Sequence, residues 1–249
     1  TLQEKIISVS TSDTETLKIP EPDIVETFDM VFIGDVMFGR YDDTGLVPNP
    51  LNTKNAFKYV KHLLKADLAV ANLETPLLKE PFKVCPWPPR LRFAAGPDAA
   101  DALVDAGFHA VTLSNNHVFD MRNKGVEDTE ALLRERNIVT IGGAVPKGEN
   151  PFKTISISVG KQKIAFIGIT TVRNSVDGPT VPDLPYTAKE EEVVTLLAPV
   201  IEDARKTHDR VIAITHWGVS DAPAPTPRRR SASRALIDLG ADAVIGHHP

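Results

Sequence analysis

The sequence predicts an α/β fold with parallel strands. Apolar runs of strand length alternate with segments of helical period from Phe28 to Asn137, and a strand, loop, helix, strand unit closes the chain from Arg210 onward. The first strand is "FDMVFIGD" at 28–35, followed by a helical segment "AFKYVKHLLK" at 56–65 and a second strand "DLAVANLE" at 67–74. Next come the helix "PDAADALVDAG" at 97–107, the strand opening "HAVTLSNNH" at 109–117 and the helix "GVEDTEALLRERN" at 125–137. This βαβαβα order calls for right-handed crossovers. The rhythm then breaks. "FKTISISV" and "KIAFIGIT", joined through Gly160 and Lys161, read as a hairpin and so as a second sheet or an antiparallel edge. A Pro-rich surface loop at 176–186 leads to the helix "KEEEVVTLLAPVIEDARK" at 189–206, which Pro199 is expected to kink. The last unit holds the strand "RVIAITHWG", the helix "SASRALIDLG" and the strand "DAVIGHH". Residues 1–27 mix Ser, Thr, Glu and Pro without periodicity and read as an arm or linker; residues 28–249 form the folded domain.

Composition narrows the function. The 249 residues are 42% hydrophobic and 24% charged, as in globular chains, with a formal net charge of -5 and a pI near 5.8. No global basic field exists to draw the chain onto nucleic acid. A lone cysteine, Cys85, rules out an internal disulfide and lies in no activating pattern. No G-x-S-x-G elbow, P-loop or G-x-G-x-x-G is present, so nucleophilic-serine and nucleotide-loop chemistry lack their signatures.

What remains is a set of polar strand ends. Asp35, Glu74, the cluster Asn115, Asn116 and His117, then His216 and the pair His247 and His248 each close a predicted strand. Singly, each has a plain reading: Asp and Asn serve turns, and a histidine is often a hydrogen-bonded structural residue. Jointly they mean more, because the carboxyl ends of parallel strands share one rim where ligands sit. Carboxylates, an amide oxygen and imidazoles make a mixed O/N donor set, suited to one or two Mn, Fe or Zn ions.

The segments "FIGDVMFGR", "ANLETPL", "LSNNHVFD", "ITHWG" and "LIDLGADAVIGHHP", in this order across residues 28–249, resemble the CapA family of poly-γ-glutamate capsule biosynthesis proteins, which is similar to calcineurin-like metallophosphoesterases. The resemblance implies a four-layer αββα sandwich of metallophosphoesterase type. It also implies an extracytoplasmic, membrane-anchored protein that handles an anionic polymer, poly-γ-glutamate, with capsule synthesis membrane proteins as partners. Carried over by position, Asp35, Glu74, Asn116, His216 and His248 are the implied metal ligands. His117 takes the place of a leaving-group acid, and Asp120 the place of the group that orients it. Arg228, Arg229 and Arg230 are the candidates for meeting the polymer's carboxylates, against the plainer reading of a solvated charge run.

Two departures bear on activity. The phosphoesterase pattern begins Asp-x-His, whereas Asp35 is followed by Val36 and Met37; and where the capsule family has an acid two residues after "HWG", this chain has Ser220. Three functions fit: a metal-dependent hydrolase or transferase in capsule synthesis, a non-catalytic polymer-binding or assembly protein on the same fold, and a metal-dependent phosphoesterase. Because the family motif continues as His-Pro-His while the sequence ends at Pro249, the expectation is a chain truncated inside its metal motif, with weak or absent metal binding. Convergence of Asp35, Glu74, Asn116, His216 and His248 in one pocket is the structural expectation.

Overall fold

The computed structural model describes residues 27–42, 45–48, 53–83, 92–174, 183–222 and 224–248. Cys85, all of the expected arm except Thr27, and most of the 176–186 loop lie outside these residues. The chain is a mixed α/β protein, and its described residues form two four-stranded sheets and a small third one. The first sheet is parallel throughout: β1 (Met30–Val36), β4 (Leu68–Leu73), β6 (Ala110–Thr112) and β7 (Val139–Ile141), in that order. The second runs β11 (Ala243–His247), β10 (Arg210–His216), β9 (Gln162–Thr170) and β8 (Ile155–Val159), parallel except for the β8–β9 hairpin. β2 (Gly39–Asp42), β3 (Gly45–Pro48) and β5 (Arg92–Phe93) form the antiparallel third sheet. Strands this short carry no readable alternation, and the sequence did not foretell them.

Period-two alternation decides what each strand face touches. Leu68 and Val70 of β4 join Ile164 and Phe166 of β9 and Ile212 and Ile214 of β10 in one apolar cluster, so the two large sheets share a core. Their odd-numbered neighbours in β4, Ala69, Ala71 and Leu73, belong instead to a cluster with Leu103 of α1 (Asp98–Ala106) and Leu133 of α2 (Arg122–Arg134). Ala165 and Ile167 of β9, with Val211 and Ala213 of β10, face Leu197 of α3 (Glu192–Arg205) and Leu236 of α4 (Pro227–Asp238). Strands covered on both faces are expected to be continuously apolar, as 68–71 is.

Local chemistry sets the helix ends. α1 stops at Gly107, whose φ of 97° lets its N–H reach back to the carbonyls of Leu103 and Val104. α4 begins earlier than expected because Thr226 caps it, accepting from Arg229 N, and Pro227 fits the first turn. The arginine run therefore lies in helix, not in loop. Pro199 lies within α3.

The expected helix at 56–65 is instead two 3₁₀ turns, Thr53–Asn55 and Lys61–Leu64, joined by further turns. Ala56, Phe57 and Leu64 pack on the core, while Tyr59, Val60 and Leu63 stay exposed. An apolar stripe that reaches the core at so few points gives too little burial to hold a short α-helix.

The two large sheets come closest where glycines allow it. Gly142, after β7, has φ 62°, and Ser114 Oγ donates to its carbonyl at 2.7 Å. Facing it is Gly168 of β9: a Cβ there would meet Ser114 Oγ at 2.6 Å and Gly142 Cα at 3.1 Å. The serine can rotate away, but the opposing backbone cannot. Gly168→Val is expected to cost about 1–3 kcal/mol of stability through overpacking, read as a lowered midpoint in urea unfolding, with Ser114→Gly in the same chain restoring only part of it.

Candidate metal centre

A one-residue irregularity aims the first acid. In the β1–β4 ladder Ile33 pairs with Ala71 but Asp35 with Asn72, so Gly34 is an extra residue in β1. Met30 and Phe32 face the second sheet, whereas Val31 and Ile33 face the helices. Without the bulge Asp35 would follow Val31 and Ile33; with it, Asp35 stands beside Asn72 on the rim between the sheets.

Asn72 is the hub of that rim. Its fully buried amide donates through Nδ2 to Asp35 Oδ1 at 2.8 Å and approaches His216 Nδ1 at 3.3 Å. Its Oδ1 accepts from Asn115 Nδ2 at 3.1 Å. Asn115 in turn donates to the Leu73 carbonyl at 2.9 Å and accepts from His117 N at 3.0 Å. His216 turns Nδ1 to the Asn72 amide and Nε2 to Asn116 Oδ1 at 2.8 Å. The same Nε2 lies 3.5 Å from Glu74 Oε1.

His248 completes the group. A φ of 68° puts it in the left-handed region; its N–H donates to Asp35 Oδ2 at 3.2 Å, and its ring lies 4.8 Å, centroid to centroid, from that of His216. Donor atoms of Glu74, His216 and His248 all lie within 4.8 Å of one another. Beside them His247 Nδ1 is buried without a hydrogen-bond partner, 3.2 Å from Asp35 Oδ1 but out of line for donation. The structure thus brings Asp35, Glu74, Asn116, His216 and His248 to one rim.

The charges follow from the burial. Burial lowers His216 to about 3, helped by the neighbouring histidines and opposed by Asp35; burial likewise lowers His248. Burial also pushes Glu74 up to about 7, with the charge of Asp35 adding to the effect. Asp35 is the exception: burial acts to raise it, yet the adjacent His247 and the Asn72 amide hold it at about 2. Two neutral imidazoles and an ionised carboxylate are the forms that metal ligands require, so the residues present fit a divalent cation.

A second assembly adjoins the first. His117 Nδ1 lies 2.6 Å from Oδ2 of the buried Asp120, which also accepts from Phe93 N at 2.7 Å. The Phe93 ring stacks on the imidazole at 3.9 Å and 24°. Arg92 Nη1 lies 3.6 Å from Asp120 Oδ1, and Asn174 links Asp120 to Asn116. With Nδ1 directed at a carboxylate, Nε2 is the nitrogen left for proton transfer.

The three arginines separate. Arg229 is buried, bonded through Nε to Glu190 at 2.9 Å, and so close to the 216–218 turn that a Cβ on Gly218 would meet its Nη1 at 2.9 Å. Arg228 is exposed and paired with Glu191 at 3.4 Å, and Arg230 is exposed as well. Sequence reasoning missed Asn72, Phe93, Arg92 and Asn174. Asn72 alone left a trace, as the one polar residue within an otherwise apolar strand.

Fold and site together define a class: mixed α/β proteins with carboxylate, amide and imidazole donors gathered on the rim of their parallel strands. The chain belongs to the bacterial capsule synthesis protein family PGA_cap, whose family profile matches residues 29–249; that family is metallophosphoesterase-like. It is similar to the capsule biosynthesis protein CapA of Bacillus anthracis, 29% identical over 231 residues, covering 90% of this chain and 54% of the relative. The PGA biosynthesis protein CapA of Bacillus subtilis is 28% identical over 227 residues, covering 88% and 56%. A protein of Mycobacterium tuberculosis called a probable polyglutamine synthesis accessory protein is 27% identical over 195 residues, covering 74% and 50%. The chain spans about half the length of these curated relatives. Among solved structures, a hypothetical protein from Thermus thermophilus matches with a TM-score of 0.51 at 20% identity, covering 88% of this chain and 67% of that one, a likeness of fold.

Asn72→Ala removes the amide that serves Asp35, Asn115 and His216 together. The expected loss is about 2–3 kcal/mol of folding stability, since buried polar partners are left unsatisfied. Denaturant unfolding measures it, and an unchanged midpoint would show that the rim does not depend on Asn72.

Proposed function

We propose that this chain is a metal-dependent hydrolase or transferase acting in capsule synthesis on poly-γ-glutamate or a related anionic polymer. The observation that carries this reading is the close set of Glu74, His216 and His248 donors beside a buried His117–Asp120 pair. The names of the relatives support the polymer class. On this reading the clusters on both faces of each large sheet belong to a four-layer αββα sandwich. Capsule synthesis membrane proteins are its partners and its working place is extracytoplasmic; no helix among the described residues is long and apolar enough to cross a membrane.

Glu74, His216 and His248, with Asp35 and Asn116, would hold one or two divalent cations, Mn, Fe or Zn. A cation held there supplies Lewis acidity toward an amide or ester oxygen of the polymer. Asn72 holds Asp35 in place and sets its amide against Nδ1 of His216, which leaves the Nε2 side of that ring turned to Glu74. Asp120 orients His117 through Nδ1, so that Nε2 is the atom that would deliver a proton to the departing group. Phe93 covers one face of that imidazole and limits its rotation. Arg229, whose charge is balanced by Glu190, lines a hollow with His247 and His248 and would meet the polymer's carboxylates there, with the exposed Arg228 and Arg230 beside it in α4.

One observation favours a second reading, a polymer-binding or assembly protein without turnover. Met37 stands half-exposed where the phosphoesterase pattern places a histidine, which removes a ligand of a two-metal site. Calorimetric titration with Mn²⁺ and Zn²⁺ tests the shared premise: saturable binding is expected, and His216→Ala is expected to weaken it at least about tenfold, in line with the loss of a direct ligand. Polymer cleavage separates the two readings. His117→Ala is expected to lower turnover by about 10²–10⁴-fold while leaving metal uptake intact. Metal binding without any cleavage of polyglutamate by the unmodified chain would favour the assembly reading.

A further inference from the structure

A cleft of about 540 Å³ runs along the free edge of β7 and shares no lining residue with the metal centre. Glu130 and Arg134 of α2 form one wall, Pro151, Lys153 and Ile155 another, and the 139–145 segment the floor. Glu130 and Arg134 are four residues apart on one helix, the spacing at which a carboxylate and a guanidinium ordinarily pair. Here they do not. Neither has a hydrogen bond or ion pair among the described residues, and Glu130 leans over the floor, where a Cβ on Gly143 would meet its Oε1 at 3.0 Å. Burial raises the Glu130 carboxyl, and the charge of Arg134, not close enough for an ion pair, opposes this only in part. Lys153, by contrast, is neutralised by Glu149 at 3.0 Å.

The floor adds backbone groups. β7 is an edge strand, and in its parallel ladder Val139 N and the Ile141 carbonyl turn inward to β6. The amide and carbonyl of Thr140, between them, therefore face outward along the cleft. An acid and a base whose side chains have no hydrogen-bonded or ion-paired partner among the described residues, with a backbone donor–acceptor pair, stand over an apolar wall of Val145 and Pro151. A simple anion would face Glu130, and a simple cation would face Arg134. A ligand with both signs on adjacent atoms satisfies each.

We propose that this cleft binds a free α-amino acid, its ammonium group on Glu130 and the Thr140 carbonyl, its carboxylate on Arg134 and the Thr140 amide, and its side chain against the apolar wall. The inference is independent of the metal centre. Ligand-observed NMR titration of the whole chain with leucine, N-acetyl-leucine and leucinamide tests it. Leucine is expected to bind saturably, and the two analogues, each lacking one charge, at least about tenfold more weakly, as follows when a charged partner is left unpaired. Glu130→Gln, which keeps the shape of the half-buried side chain, and Arg134→Ala, at an exposed position, are each expected to weaken leucine by a similar factor with an unchanged thermal midpoint. Gly143→Val fills the floor and is expected to abolish binding. No saturable binding of leucine, equal binding of the three compounds, or binding indifferent to both charge substitutions would overturn the proposal.

Discussion

A buried amide stands at the centre of the contacts that join the two large sheets at their functional rim. Asn72 belongs to the first sheet; it holds Asp35 of its own sheet and approaches His216 of the other, and through Asn115 it reaches the backbone of His117. A buried amide costs several kcal/mol if unpaired, so each of its bonds must be met. Meeting them fixes where Asp35 points and how the 113–117 turn leaves its strand. The bulge at Gly34 matters for the same reason, because without it Asp35 would point to the helices and the amide would lose its partner.

Burial then does the electrostatic work. Water excluded from the rim disfavours charge on His216 and His248 and raises the Glu74 carboxyl to about 7, while Asp35, surrounded by histidines and an amide donor, stays ionised. The result is a set of neutral nitrogen donors around one firm negative charge. The buried His247 Nδ1, close to Asp35 but without a bond, marks a rim whose polar groups are not all satisfied by protein. The His117–Asp120 pair is built differently: its acid is compensated by Phe93 N and approached by Arg92, and its imidazole is held by a stacked ring.

Much of the fold was legible because both large sheets are covered on their two faces, which makes strands apolar and helices amphipathic in patterns one sequence displays. The hairpin at 155–170 was legible from alternation and its Gly160 turn. The third sheet was not, since its strands are two to four residues long. The 56–65 segment misled: its apolar residues have helical spacing, but the core receives few of them.

The sequence by itself determined the order of strands and helices and the polar residues that end the strands, because these are local properties of period and composition. It also carried the family resemblance, through five ordered segments. Only the tertiary structure decided that Asn72 is the hub, that Phe93 and Arg92 serve His117 and Asp120, and that three adjacent arginines part ways, with Arg229 buried on Glu190. Each of these depends on contact between elements far apart in the chain. No local pattern records which distant side chain a buried amide, carboxylate or guanidinium will meet.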